Sequence, residues 1–120
     1  MSKPSSFCTI CTHSAAFELT GLLLSLSVYH PNSPIIVVCD ARTKYMMDSI
    51  TPSPKLDIKW VIMLNKYSDL NRSTMEQHGI WAEFQMFKAA AIQQALLQYS
   101  DTLFLDSDII VTGVISSIDK

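Results

Sequence analysis

Two carboxylates, Asp106 and Asp108, interrupt an otherwise apolar run, Leu103-Phe104-Leu105-Asp106-Ser107-Asp108-Ile109-Ile110-Val111. In extended chain, residues i and i+2 project to the same side. The spacing therefore predicts both side chains on one face near the C-terminal end of a strand buried on both faces. Two like charges so close repel, and holding them against an apolar sheet is costly. A divalent cation that favours hard oxygen ligands, Mg2+ or Mn2+, removes that cost. The plainer alternative is a β-turn that uses Asp and Ser for turn chemistry and leaves both carboxylates in water. A D-x-D is weak by itself, and the apolar residues on both sides are what favour a metal or substrate site.

Lys88 is the second candidate, because it falls inside the apolar arc of a predicted helix. It either snorkels, its stem covering core while the ammonium escapes, or directs a compact charge at the acidic rim or at a phosphate there. Asp40 ends an apolar strand and precedes Ala41-Arg42-Thr43. It either caps the following helix or holds a ribose hydroxyl or base edge, as carboxylates at second-strand ends do in dinucleotide folds. Thr12, His13 and Ser14 form the first strand-to-helix turn, which offers hydroxyls and helix N-terminal amides to a nucleotide. The glycines of a G-x-G-x-x-G dinucleotide turn are missing there, so a dinucleotide cofactor is not expected. No carboxylate or nucleophile pairs visibly with His13 as a catalytic base. His78 and Trp81, beside Gly79, are candidates for a substrate loop. Cys8-x-x-Cys11 with His13 has the look of a zinc half-site, but strand residues three apart face opposite sides, which favours core cysteines.

The elements that must position these groups follow from apolar periodicity. Phe7 to Thr12 reads as a strand, and Ser14 as the N-cap of a helix from about Ala15 to Tyr29, with Ala15, Leu19, Leu22, Leu23 and Leu26 on one stripe. Pro31 and Pro34 end it. Ile35 to Cys39 is a continuous apolar run of the kind found in central parallel strands. Ala41 to Ile50 is a short helix stopped by Thr51 to Pro54. Asp57 to Met63 is a strand in which Lys59 fits an edge position. Leu64 to Gly79 is a polar connection without clear periodicity, of a length that is usually functional or disordered. A long helix, Trp81 to Tyr99, carries Trp81, Phe84, Phe87, Ala91, Ala95 and Tyr99 on its apolar arc. Thr102 to Leu105 then leads into the carboxylates. Alternating strands and helices predict a parallel sheet in an α/β fold. Ligands bind such sheets beyond the strands' carboxyl ends, where strand order reverses, and Thr12, Asp40 and Asp106 all lie at those ends.

At 120 residues the chain is one domain or part of one. A hydrophobic fraction of 48% with 17% charged residues excludes a disordered chain. A net charge of -2 without a basic block gives no sign of nucleic acid or an anionic membrane as partner. The most apolar stretch, Leu19 to Val28, is too short to span a bilayer, and MSKPSSF is not a typical signal peptide. Three cysteines, two of them in strand-like runs, predict buried thiols of a reducing compartment, hence a cytoplasmic protein. The chain stops at Ile118-Asp119-Lys120, directly after the motif strand, which predicts a fragment, the first part of a larger α/β domain.

The stretch WAEFQMFKAAAIQQALLQYSDTLFLDSDIIVTG (Trp81 to Gly113), with FCTICTHSAAFELTGLLLSL and PIIVVCD before it, resembles the nucleotide-binding half of a GT-A fold glycosyltransferase of the glycogenin and lipopolysaccharide-galactosyltransferase type. The resemblance implies a three-layer Rossmann-like domain with a mainly parallel sheet, and residues 1–120 as its N-terminal, donor-binding part. It implies a nucleotide-sugar donor, with a UDP-sugar expected first, and an acceptor that is a glycan, lipid or protein. Mn2+ or Mg2+ would bridge the carboxylates and the diphosphate, with Asp108 a direct ligand and Asp106 on metal or ribose. Lys88 would approach phosphate or sugar, Ser107 would lie against the donor, and Thr12, His13 and Asp40 would surround the nucleoside. Two other enzyme classes share part of the pattern. Haloacid-dehalogenase-like phosphatases carry D-x-D but open the domain with it and have Thr where this chain has Ile110. Sugar nucleotidyltransferases carry a glycine-rich loop that CTHSAAFE lacks. An inert α/β fragment or interaction module is the non-enzyme alternative.

Overall fold

A computed structural model describes residues 3–50 and 56–116. The predicted stop at Thr51 to Pro54 and the chain end at Ile118 to Lys120 lie outside the described residues. Strand β1 (Phe7–Cys11) leads through a 3-10 turn at His13–Ala15 into helix α1 (Ala16–Tyr29). Strand β2 (Pro34–Cys39), helix α2 (Ala41–Ile50) and strand β3 (Asp57–Ile62) follow. Three short helices come next, α3 (Arg72–Gln77), α4 (Trp81–Gln85) and α5 (Phe87–Leu96), and then strand β4 (Leu103–Phe104).

The four strands form one parallel sheet in the order β3-β2-β1-β4. β1 and β2 are buried almost throughout, as their continuous apolar runs require, and Lys59 lies on the edge strand β3. Alternation along β1 supplies both core layers. Phe7 and Cys11 pack with Leu19, Leu22, Leu23 and Leu26 of α1 and Met47 of α2. Cys8 and Ile10 pack on the other face with Met75 of α3, Phe84 of α4 and Ala91 and Ala95 of α5. The result is a three-layer α/β fold of Rossmann-like form. Cys8 and Cys11 thus face opposite layers, and all three cysteines are free and buried.

Three local expectations are corrected. Ser14 does not cap α1: its hydroxyl donates to the Leu70 carbonyl at 3.2 Å, while Ala15 occupies the cap without a side-chain hydrogen bond. The connection Leu64 to Gly79 is not featureless. It holds a 3-10 turn at Asn65–Tyr67 and α3, whose first turn is capped by the Asn71 carboxamide accepting from the Thr74 N–H at 2.8 Å. Gly79 follows α3 with φ +72°, a conformation that glycine adopts without a Cβ penalty. The long helix is two, interrupted at Met86, whose N–H is shared between the Ala82 and Glu83 carbonyls at 3.3 and 3.2 Å.

The largest correction concerns the motif. β4 pairs only through Leu103 and Phe104, and after Leu105 the chain leaves the sheet. The Ile109 N–H donates to the Asp106 carbonyl at 3.1 Å, closing a turn that exposes both carboxylates. An edge strand need not continue where it would carry two charges along the sheet, and the turn leaves both in water. Ile110 is 66% exposed, so the apolar run is not buried on both faces.

Two side-chain anchors then lay the chain back along α1. The Val111 N–H donates to Ser25 Oγ at 2.9 Å and the Ile115 N–H to His30 Nε2 at 2.8 Å. His30 is buried against the Phe7 ring, 4.9 Å between centroids. Burial, with Lys3 nearby, holds its imidazole below the ordinary histidine pKa. The unfolded chain therefore takes up this proton first. The contribution is complete above the ordinary value of about 6.5 and is lost as pH falls below it. Denaturant midpoints are expected to fall between about pH 7.5 and about pH 5.5 in the parent chain and to change less in His30→Gln, whose amide oxygen can still accept from Ile115.

Candidate functional site

Strand order reverses at β1: the chain first builds outward through β2 and β3, then returns to place β4 on the other side. A crevice opens at the carboxyl ends of two strands that diverge in this way. Here it is a cleft of about 460 Å³ between the β1 turn, the start of α1, helices α3 to α5 and the turn after β4. Thr12, Lys88, Asp106, Ser107 and Asp108 all line it.

Each reaches the cleft for a local reason. Ser5 and Ser6, just before β1, hold the turn that leads into β4. The Ser6 hydroxyl donates to the Asp101 carbonyl at 2.8 Å, and the Ser5 N–H and hydroxyl donate to Asp101 Oδ1 at 2.7 and 2.8 Å, which keeps the Asp101 carboxyl below the usual range. Those bonds fix β4 beside β1 and deliver the Asp106 turn to the rim. Thr12 is nearly buried, its hydroxyl 3.3 Å from that of Ser14. Lys88, in the first turn of α5, extends its ammonium to 3.2 Å from Asp106 Oδ1 and 5.5 Å from the centre of the Phe104 ring. The snorkelling stem and the acidic-rim contact are thus one arrangement. Asp108 has no hydrogen bond or ion pair among the described residues.

Three of the candidate residues are placed elsewhere. Asp40 is fully buried, accepts hydrogen bonds from the Thr43 and Ser68 hydroxyls, and its backbone carbonyl receives the Lys44 N–H at 3.3 Å. It tethers the start of α2 to the connection after β3 and does not line the cleft. His13 points to a shallow apolar depression beside Ala41, Arg42, Tyr45 and Met46, and its Nδ1 is buried without a partner. His78 is likewise absent from the lining.

Other side chains complete the cleft: Glu18 of α1, Arg72 of α3, and Trp81, Phe84 and Gln85 of α4. The Arg72 guanidinium lies 4.8 Å over the Trp81 ring and its Nε donates to Glu76 at 2.8 Å. Trp81 stacks on Phe84 at 5.6 Å. α4 is held by Glu83, which accepts from Lys66 at 2.9 Å and the Tyr67 hydroxyl at 2.8 Å. Those bonds, Lys66 first, keep the Glu83 carboxyl below the usual range. Arg72 was hidden in a stretch without periodicity, although Asn71 three residues before Thr74 is a capping signal that marks α3.

The rim carries three carboxylates, Glu18, Asp106 and Asp108, against two cations, Arg72 and Lys88. An anionic ligand entering it meets no excess of positive charge. Among the described residues no three His, Cys, Asp or Glu side chains gather closely enough to hold a metal ion. The pair Asp106 and Asp108 fits only the open mode in which one or two carboxylates and a ligand's phosphates share a hydrated divalent ion. No helix among the described residues is long and apolar enough to cross a membrane.

Comparisons with protein-family models, curated proteins and solved structures found no match. The fold admits many activities, so the chemistry of the cleft carries the functional reading.

Scaffold and rim should respond differently to substitution. Asp40→Ala leaves two hydroxyls without their acceptor and is expected to cost about 1–3 kcal/mol in urea unfolding. Asp108→Asn, at an exposed turn, should stay within about 0.5 kcal/mol of the parent in the same measurement.

Proposed function

We propose that this chain is the donor-binding part of a metal-dependent GT-A glycosyltransferase that transfers a sugar from a nucleotide-diphosphate sugar, a UDP-sugar in the first instance, to a glycan, lipid or protein acceptor. One observation carries the reading: an Asp-Ser-Asp turn lies at the switch point of a parallel sheet, faced by a lysine from the preceding helix.

In this reading Asp108, which has no partner among the described residues, and Asp106 are the oxygen ligands for Mn2+ or Mg2+. When bound, the ion supplies Lewis-acid stabilisation of the charge that develops on the leaving diphosphate. Lys88 holds a phosphate oxygen as a compact point charge. Thr12 and Ser107 offer hydroxyls to the donor from the two strand ends, and the stacked Trp81 and Phe84 rings line the same cleft. Asp40 acts from behind this surface by fixing the start of α2. His13 meets the nucleoside only if the donor extends over the neighbouring depression.

The charge balance of the rim supports a requirement for the ion. A diphosphate brought against three carboxylates needs more positive charge than Arg72 and Lys88 provide.

Calorimetry with UDP is expected to show binding in Mn2+ and none after EDTA, with Asp108→Ala abolishing the metal-dependent part. Equal affinity with and without EDTA overturns the metal role. Robust turnover of p-nitrophenyl phosphate favours a phosphatase instead.

A further inference from the structure

We infer that Lys88 is a displaceable counter-ion: it neutralises Asp106 in the empty cleft and transfers to the ligand's diphosphate when a divalent ion takes Asp106, so that ion and diphosphate bind cooperatively. The inference rests on the proposed reading of the cleft as a diphosphate site and adds to it the coupling between its two occupants.

The geometry sets up the exchange. Lys88 Nζ lies 3.2 Å from Asp106 Oδ1, on an oxygen that a divalent ion would also need. The two side chains are 37% and 55% exposed, so water can replace each partner and the pair is weak. The other cations near this end of the sheet pair with carboxylates outside the motif, so among the described residues Lys88 is the one set against it. Arg72 is held by Glu76 and by the Trp81 ring, Lys66 by Glu83, and Arg42 by Asp69. Lys88 has one exposed ion pair and a long flexible stem rooted in the first turn of α5.

An ammonium at that distance opposes a dication at the same carboxylate through both occupancy and like charge. Once Asp106 is engaged elsewhere, the ammonium keeps only the Phe104 ring, and a phosphate oxygen in the cleft is its strongest available acceptor. A ligand phosphate that draws Lys88 away in turn leaves Asp106 vacant for the ion. The coupling must be reciprocal, since the same exchange is reached from either side.

The test is a Mn2+ titration of the parent, Lys88→Met and Lys88→Gln, followed by calorimetry and by the electron-spin signal of free Mn2+, without nucleotide and with saturating UDP. Both variants are expected to bind Mn2+ alone about two- to fivefold more tightly than the parent, as removal of an exposed ion-pair competitor implies. UDP should tighten Mn2+ binding strongly in the parent and much less in either variant. Mn2+ affinity unchanged or weakened in both variants, with the parent still binding Mn2+ and UDP, overturns the counter-ion role and leaves the proposed site standing. A parent chain that binds neither Mn2+ nor UDP overturns the site and this inference together.

Discussion

The double-sided burial of β1 is the constraint from which the remaining architecture follows. With Phe7, Thr9 and Cys11 on one face and Cys8 and Ile10 on the other, all almost fully buried, β1 needs helices on both faces and a strand on each side. α1 and α2 cover the first face as the chain builds outward, and α3 to α5 cover the second as it returns. A return of this kind places β4 across β1 from β2, and a crevice at the strand ends results whatever residues line it. Five backbone and side-chain contacts from Ser5 and Ser6 to Asp101 then fix which residues of the returning chain reach the rim.

Much of this was legible in the sequence because it depends on burial. The apolar runs at Ile35 to Cys39 and Phe7 to Cys11, the stripe of Leu19, Leu22, Leu23 and Leu26, and Lys59 on an edge strand all express one demand, the removal of apolar surface from water. What was not legible depends on polar satisfaction between residues distant in sequence. Ser14 reads as a cap by its position, yet its hydroxyl goes to Leu70. Asp40 reads as a cap of the following helix or as a rim group, and two hydroxyls, one of them on Ser68, hold it inside at the start of α2. Neither partner is marked by spacing. The short helices α4 and α5 share one apolar periodicity, which carries no record of the local hydrogen-bond shift at Met86.

The motif shows how two rules compete at an edge. Apolar neighbours argued for a buried strand, and the desolvation of two carboxylates argued against one. The second cost is larger per group than burial of an isoleucine is favourable, because an unpaired buried charge costs several kcal/mol or more while a fully buried aliphatic side chain contributes about 1.5–3 kcal/mol. The chain resolves the conflict by turning at Asp106, exposing Ile110 and recovering Val111 in the α1 layer. The carboxylates therefore sit on a turn whose two flanks are tied, at Leu105 to β1 and at Val111 to α1.

Rigidity and lability are consequently divided between different bonds. The groups that set the position of the turn, Ser6 and His30 among them, are buried and hydrogen-bonded, so moving either strands a polar atom away from water. The groups on the turn are exposed: Asp106 has one weak ion pair and Asp108 has none among the described residues. Rearranging them costs little, because water accepts whatever a partner gives up. A site that must exchange ligands needs its ligating atoms at the labile end of such a range and their supports at the other. Were the two carboxylates paired and buried as the apolar run first suggested, they would be held too firmly to change partners.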